Sequence, residues 1–324
     1  MLQRQRVKKL NMYPIQNQEI YNFAVIKSQP LSTDYYAGVV EKQILMPSGQ
    51  WDEFLPLVEL QKDYSTGFDS YSCVTFSALN CIEMLYIRMT GEIKNFSDRF
   101  TAIDSGTVPD RGNSLRNVAE SIRKTGVVDQ GVYNFVGTEK EYFQKIPQEV
   151  RDKAYKIPVS WEWGHSGENI QKWRKDPQSV LCELLQYAPV QVTVWAYSKS
   201  IVNGVYQPHG VKDENHAVTL YGYEQGKYFK IFDHYTKTHK KLHWNYGLET
   251  PIIFTLEGQI NLAKKYKGKL FKEMNSPKVY YSNGEQIAWI KDEKSFLFGF
   301  NSGFWGYWDE INTIQEKVAE DIIF

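Results

Sequence analysis

The chain has 324 residues, 42% hydrophobic and 23% charged, proportions of a globular protein rather than a disordered one. Lys plus Arg and Asp plus Glu number 38 each, so the formal net charge is zero and no basic footprint points to nucleic acid. The three cysteines, Cys73, Cys81 and Cys182, are too few for a disulfide framework, and no apolar run approaches the roughly 18 residues of a membrane span.

Residues 1–45 mix charge, Gln and Tyr without sustained periodicity, and the expectation is an N-terminal arm on the main domain or a pro-like segment. The start lacks the apolar stretch of a signal peptide, which predicts a soluble product, cytoplasmic or carried in a larger assembly such as a virion. From Val74 to Met89 the apolar residues Val74, Ala78, Cys81, Ile82, Leu85 and Met89 recur at helical spacing, with Thr90-Gly91 as the stop. Phe76, Leu79 and Ile87 make the other side apolar too, so this helix belongs at the centre of the core, with Cys73 at its N-terminus. Further helices are predicted from Leu115 to Lys124, closed by Gly126, and from Val180 to Gln186.

Strands follow. Val190, Val192 and Val194 alternate with Gln191 and Thr193, and runs from His216 to Tyr223 and from Lys227 to Phe232 flank a reversal at Glu224-Gln225-Gly226. Helices first and strands later predict an α+β fold. Beyond residue 258 the pattern changes: Asn283-Gly284 between Lys278–Tyr281 and Gln286–Ile290 signals a hairpin. An aromatic- and Gly-rich stretch from Phe296 to Trp308 then leads to a short helix. The expected division is an arm at 1–45, a main domain at 46–258 and a small module at 259–324.

A nucleophilic cysteine needs a base for its proton, a group to orient that base, and donors for the oxyanion. Cys73 stands where the free N–H groups of a helix favour a thiolate; otherwise it is a buried inert thiol, as Cys81 and Cys182 are read to be. If the hairpin turns tightly, pairing Glu224 with Lys227, then Asp233 lies opposite Val218, on the face of His216 and within side-chain reach. A three-residue loop would put the two on opposite faces. Metal chemistry finds no CxxC pair and no HExxH, and His234, His239 and His243 are read as exposed; neither metal nor cofactor is expected.

Several segments resemble the papain-like cysteine peptidases in the family's order, over about residues 50 to 255. Ser72-Cys73-Val74-Thr75-Phe76-Ser77 is similar to the nucleophile segment, and Phe96-Ser97-Asp98-Arg99 to the stretch that follows its helix. Gly112-Asn113-Ser114 resembles the glycine-lined substrate wall, and Asn215-His216-Ala217-Val218 the histidine strand. The resemblance implies a divergent, bacterial or phage-type member with Cys73 as nucleophile, His216 as base, and Gly112, Asn113 and Asn215 at the substrate. Gln61 would be the oxyanion donor, although Lys62 to Phe68 form an insertion before the nucleophile. Asp233 replaces the family's asparagine, Val74 the bulky residue after the nucleophile, and Asp233-His234-Tyr235-Thr236 its "NSWG" context. An asparagine at 233 is therefore expected to serve in place of Asp233.

The expected function is hydrolysis of peptide or isopeptide bonds in a peptide or protein substrate. The alternatives are an amidase or transpeptidase of the same fold acting on cell-wall peptides, and an inactive binding or structural module. The Tyr- and Trp-rich C-terminal segment suggests an envelope or assembly partner.

Overall fold

The computed structural model describes residues 25–27, 30–31, 34, 44–208, 210, 214–235, 238–256, 269–273, 278–282, 287–290 and 312–314. Within them the helices are α1 (Cys73–Thr90), α2 (Asp98–Asp104), α3 (Leu115–Thr125), α4 (Glu139–Tyr142), α5 (Gln148–Arg151), α6 (Ile170–Lys175) and α7 (Pro177–Tyr187). The strands are β1 (Val159–Trp163), β2 (Val190–Val194), β3 (Ile201–Val202), β4 (Val205–Tyr206), β5 (His216–Glu224), β6 (Tyr228–Phe232), β7 (His239–His243) and β8 (Leu248–Leu256), then β9 (Lys269–Glu273), β10 (Val279–Ser282), β11 (Ile287–Ile290) and β12 (Asn312–Ile314). β1 to β8 form one sheet in the order β1-β8-β2-β5-β6-β7-β4-β3, antiparallel throughout except between β4 and β7. This is the α+β arrangement expected.

The central helix is built as its sequence requires. α1 buries every residue from Cys73 to Leu85, and stops at Gly91, whose left-handed backbone (φ 69°) lets its N–H cap the Ile87 carbonyl. α3 starts at Ser114, whose hydroxyl accepts from Asn117 N, and ends at Gly126 with φ 95°. A Cβ at Gly126 would stand 2.2 Å from the Tyr155 carbonyl, so no other residue fits that turn.

β2 forms where the period-2 pattern places it, and all five of its residues are buried, Gln191 and Thr193 included. α1 covers the second face, and Gln191 lies under it, donating from Nε2 to Val74 O and Ser77 Oγ. A polar side chain in a strand therefore marks helix contact here, not solvent. β1, β7 and β8 lie outside the expected elements. β8 binds β1 on one edge and β2 on the other, so its run from Pro251 to Phe254 is buried on both faces and carries no alternation.

A cluster of carboxyl groups fastens α1 to α2. Glu83 on α1 accepts from Phe96 N at 2.8 Å, and burial, with a small contribution from Glu59, pushes its pKa up to about 8. Burial and the charges of Glu59 and Glu83 likewise raise Asp98 well above the carboxylate range. A folded pKa raised from 4.5 to about 8 means stability fully present below the lower value and lost as pH rises through the higher. Glu83→Gln keeps the acceptor for Phe96 N without the ionisation. Its thermal midpoint is expected to fall less than that of the parent chain between about pH 5 and 9; parallel curves would remove Glu83 as the cause.

In the C-terminal region β10 and β11 pair antiparallel, Val279 with Ile290, as the Asn-Gly signal predicted, and β9 pairs in parallel with β12. Leu270, Val279 and Ile290 form a small apolar cluster separate from the main core. The stretch from Phe296 to Trp308 lies outside the described residues; beyond it, where a short helix was expected, residues 312–314 are described and form the strand β12, which pairs with β9. No helix among the described residues is long and apolar enough to cross a membrane.

Candidate active site

The start of α1 and the outer end of the β5–β6 hairpin meet at one point. The hairpin does close with the longer loop, pairing Glu224 with Tyr228, which alone would have separated His216 from Asp233. A bulge at Tyr221 takes up one residue, after which Leu220 pairs with Ile231 and Thr219 with Phe232. Continued one step, that register sets Val218 opposite Asp233, the arrangement the tight turn was expected to give. His216 Nε2 donates to Asp233 Oδ1 at 2.8 Å, both side chains fully buried.

With Nε2 committed, Nδ1 is the ring nitrogen left for Cys73, and the thiol acts on the ring by hydrogen bonding and by charge. Burial alone would lower the pKa of His216. The Asp233 carboxylate outweighs it and, with Cys73, lifts it from 6.5 to about 9. The interaction thus supports the folded state below about 6.5 and is lost as pH rises through about 9.

Asp233 has both oxygens filled. Oδ1 also accepts from His234 N at 2.7 Å, while Oδ2 accepts from Tyr197 OH at 2.7 Å and from Lys240 Nζ at 2.6 Å. Burial opposes ionisation, but the Lys240 charge first and His216 second hold its pKa well below the usual range. Sequence reasoning missed Tyr197 and Lys240. Lys240 sits in a run of Lys and Thr that reads as solvent-facing, and only the pairing of β6 with β7, Ile231 against Lys240, turns it inward.

His234 is likewise not exposed. It is fully buried against Phe76, accepts from Asn80 Nδ2 at 3.4 Å, and donates to Ala217 O at 3.2 Å. Burial drives its pKa down to about 3, so it stays neutral. His239 is exposed as read, and His243 half-buried.

The insertion before the nucleophile closes on itself: Lys62 bridges Asp69, and Ser70 N donates to Gln61 O at 3.0 Å. Gln61 is thereby returned to the nucleophile segment. Its Nε2 donates to Asp69 Oδ1 at 2.9 Å and to Tyr235 OH at 3.0 Å, while Tyr235 donates to Asp69 Oδ2 at 2.7 Å and lies 5.6 Å from the His216 ring. Asp69 Oδ1 also accepts from Tyr71 N, steadying a non-glycine residue with φ 55° just ahead of Ser72-Cys73.

The three other site residues are less directly placed. Gly112 turns with φ 69°, and the Asn113 amide donates to Ser105 and Thr107 within its own loop. Asn215 accepts from Ala196 N at 2.9 Å, which fixes the entry to β5. The arm meets this wall: Val25 bridges Asn113, Ile26 N donates to Asn113 O at 2.9 Å, and Asp34 pairs with Arg116 Nε at 2.8 Å. Among the described residues no cluster of side chains could hold a metal ion.

The model of the papain family cysteine proteases matches residues 68–243, more than half of the chain. The chain belongs to this family. Solved structures agree in fold: procathepsin L 3 from the larval midgut of Tenebrio molitor is 18% identical, with a TM-score of 0.51 over 72% of this chain and 76% of that one. The ragweed pollen allergen Amb a 11, a cysteine protease in its proform, is 15% identical, with a TM-score of 0.50 over 68% of this chain and 69% of that one. No curated protein matches by sequence. Membership makes the chain a cysteine protease, a thiol-dependent hydrolase.

Proposed function

We propose that the chain cleaves peptide or isopeptide bonds of protein substrates through a triad of Cys73, His216 and Asp233. The observation that carries this reading is the buried His216–Asp233 hydrogen bond of 2.8 Å, with the Cys73 thiol acting on the same imidazole. Cys73 Sγ attacks the carbonyl carbon as His216 takes up the thiol proton, and the Cys73 N–H stabilises the oxyanion. Collapse breaks the C–N bond, and the leaving amine takes its proton from His216. Water, deprotonated by His216, then opens the thioester to give a carboxylic acid and the free thiol. Gln61 is the second oxyanion donor in this reading, and serves once its amide exchanges Asp69 or Tyr235 for the substrate oxygen.

Incubation with a peptide mixture in 18O-water tests the reaction. Cys73-dependent products carrying the label at new carboxyl ends support hydrolysis; unlabelled, amine-exchanged products would indicate transfer instead.

The peptidase domain in this reading is 46–258, since β8, the last strand of the large sheet, ends at Leu256. The arm is a pro-like segment. Its contact with Asn113 lies on the wall where the family resemblance places substrate, and Asp34 pairs with Arg116 on the helix that follows that wall. Removing residues 1–43 is therefore expected to raise peptide hydrolysis several-fold or more. Unchanged or lower activity from a folded, truncated chain would make the arm structural.

A further inference from the structure

We propose that Lys240 is a positioning residue of this site: its ammonium and the Asp233 carboxylate act together as one near-neutral orienter of His216. The inference rests on the triad reading and extends it. An ion pair takes over the task that the family's asparagine performs with an uncharged amide.

The geometry separates the two functions of Asp233 by oxygen. Oδ1 faces the imidazole and His234 N; Oδ2 faces Tyr197 OH and Lys240 Nζ. Lys240 has a side chain only 3% exposed and stands 5.0 Å above the Tyr197 ring, so the ammonium is held inside the protein with Asp233 as its counter-charge. A lone buried carboxylate beside an imidazolium would bind the proton so firmly that His216 becomes a poor acid toward the leaving amine. A second cation on the far oxygen moderates that pull.

The other groups around His216 do not replace this balance. Cys73 comes from α1. Tyr197 from the segment after β2 and Tyr235 from the segment after β6 have phenol pKa values raised by burial and by neighbouring carboxylates, so both stay neutral. His234 is neutral as well. Asp69 lies behind the Tyr235 hydroxyl, and Glu214, two residues before His216, is bonded to Thr193 and Thr250.

The charge balance reverses one expectation from sequence. Asp233→Asn removes the counter-charge and leaves Lys240 buried beside His216, so asparagine alone is a poor substitute. Asparagine suffices when Lys240 is made neutral too.

The test follows the His216 imidazole by 15N NMR across pH in the full chain, with the alkaline limb of kcat/KM on a peptide substrate as a second readout. Lys240→Met is expected to move the His216 titration upward by about one pH unit, the size of effect a single close charge produces. Asp233→Asn is expected to move it downward by about as much, and Asp233→Asn with Lys240→Met to bring it back near the parent value. A Lys240→Met chain that titrates as the parent does would overturn the proposal. So would a double variant no closer to the parent than Asp233→Asn. If Asp233→Asn alone fails to fold, Lys240→Met and the double variant still decide. Loss of the triad reading shows separately: hydrolysis surviving Cys73→Ser would sink that reading, while the titration series would still report on Lys240.

Discussion

Iodoacetamide at about pH 6 is expected to alkylate Cys73 roughly a hundred times faster than Cys81 or Cys182, because an ordinary thiol, with a pKa near 8.5, is almost wholly protonated there. Cys81 is fully buried, and desolvation raises its pKa far above that of an exposed thiol. Cys182 is pushed up to about 12, again by burial first. Cys73 alone faces an imidazole that remains cationic up to about pH 9, the kind of neighbour that activates a nucleophilic thiol. His216→Ala removes the cation and should erase the difference, and Cys73→Ala should abolish peptide hydrolysis. On the proposed reading of the arm as a pro-like segment, the alkylation rate of Cys73 should rise further once residues 1–43 are removed. Mass spectrometry of the alkylated peptides reads all of this. Equal labelling of the three thiols, in the truncated chain as well, would leave a papain-like shell without a working nucleophile.

Asp233→Ala carries the second large effect, and it combines activity with stability. Turnover should fall roughly 10^4-fold, the order of loss that follows when the carboxylate orienting a catalytic histidine is replaced. Stability should fall as well, since the same substitution strips the partner from Lys240 and from His216, both inside the protein. Breaking a buried ion pair by removing one member costs about 3–5 kcal/mol. Thermal unfolding near neutral pH measures the second part. If Asp233→Ala lowers turnover and leaves the thermal midpoint alone, Lys240 is reaching solvent or another acceptor, and the buried pair is not what holds this corner. Wild-type turnover in the variant would show instead that Asp233 does not orient His216.

Much of this protein is determined by short-range sequence alone. The apolar pattern of α1, its glycine stop, the Ser114 cap of α3 and the alternation in β2 each follow from backbone and side-chain preferences over a few residues, so those elements fell where they were expected. The candidate nucleophile and base were legible for the same reason: a helix start and a strand start are local features. Contact between His216 and Asp233 was inferred from a turn that does not form, and holds because the bulge at Tyr221 absorbs the extra loop residue. Bulges leave no reliable local mark, since they are set by how two strands pack. Tertiary structure also decided the environment of charge. His234 reads as solvent-facing because its neighbours are polar, and nothing local sets Lys240 apart from the lysines around it, but β6–β7 pairing and the packing of α1 bury both. Once a charged group is enclosed, its partner and its pKa depend on residues far away in the chain, and only the fold brings those together.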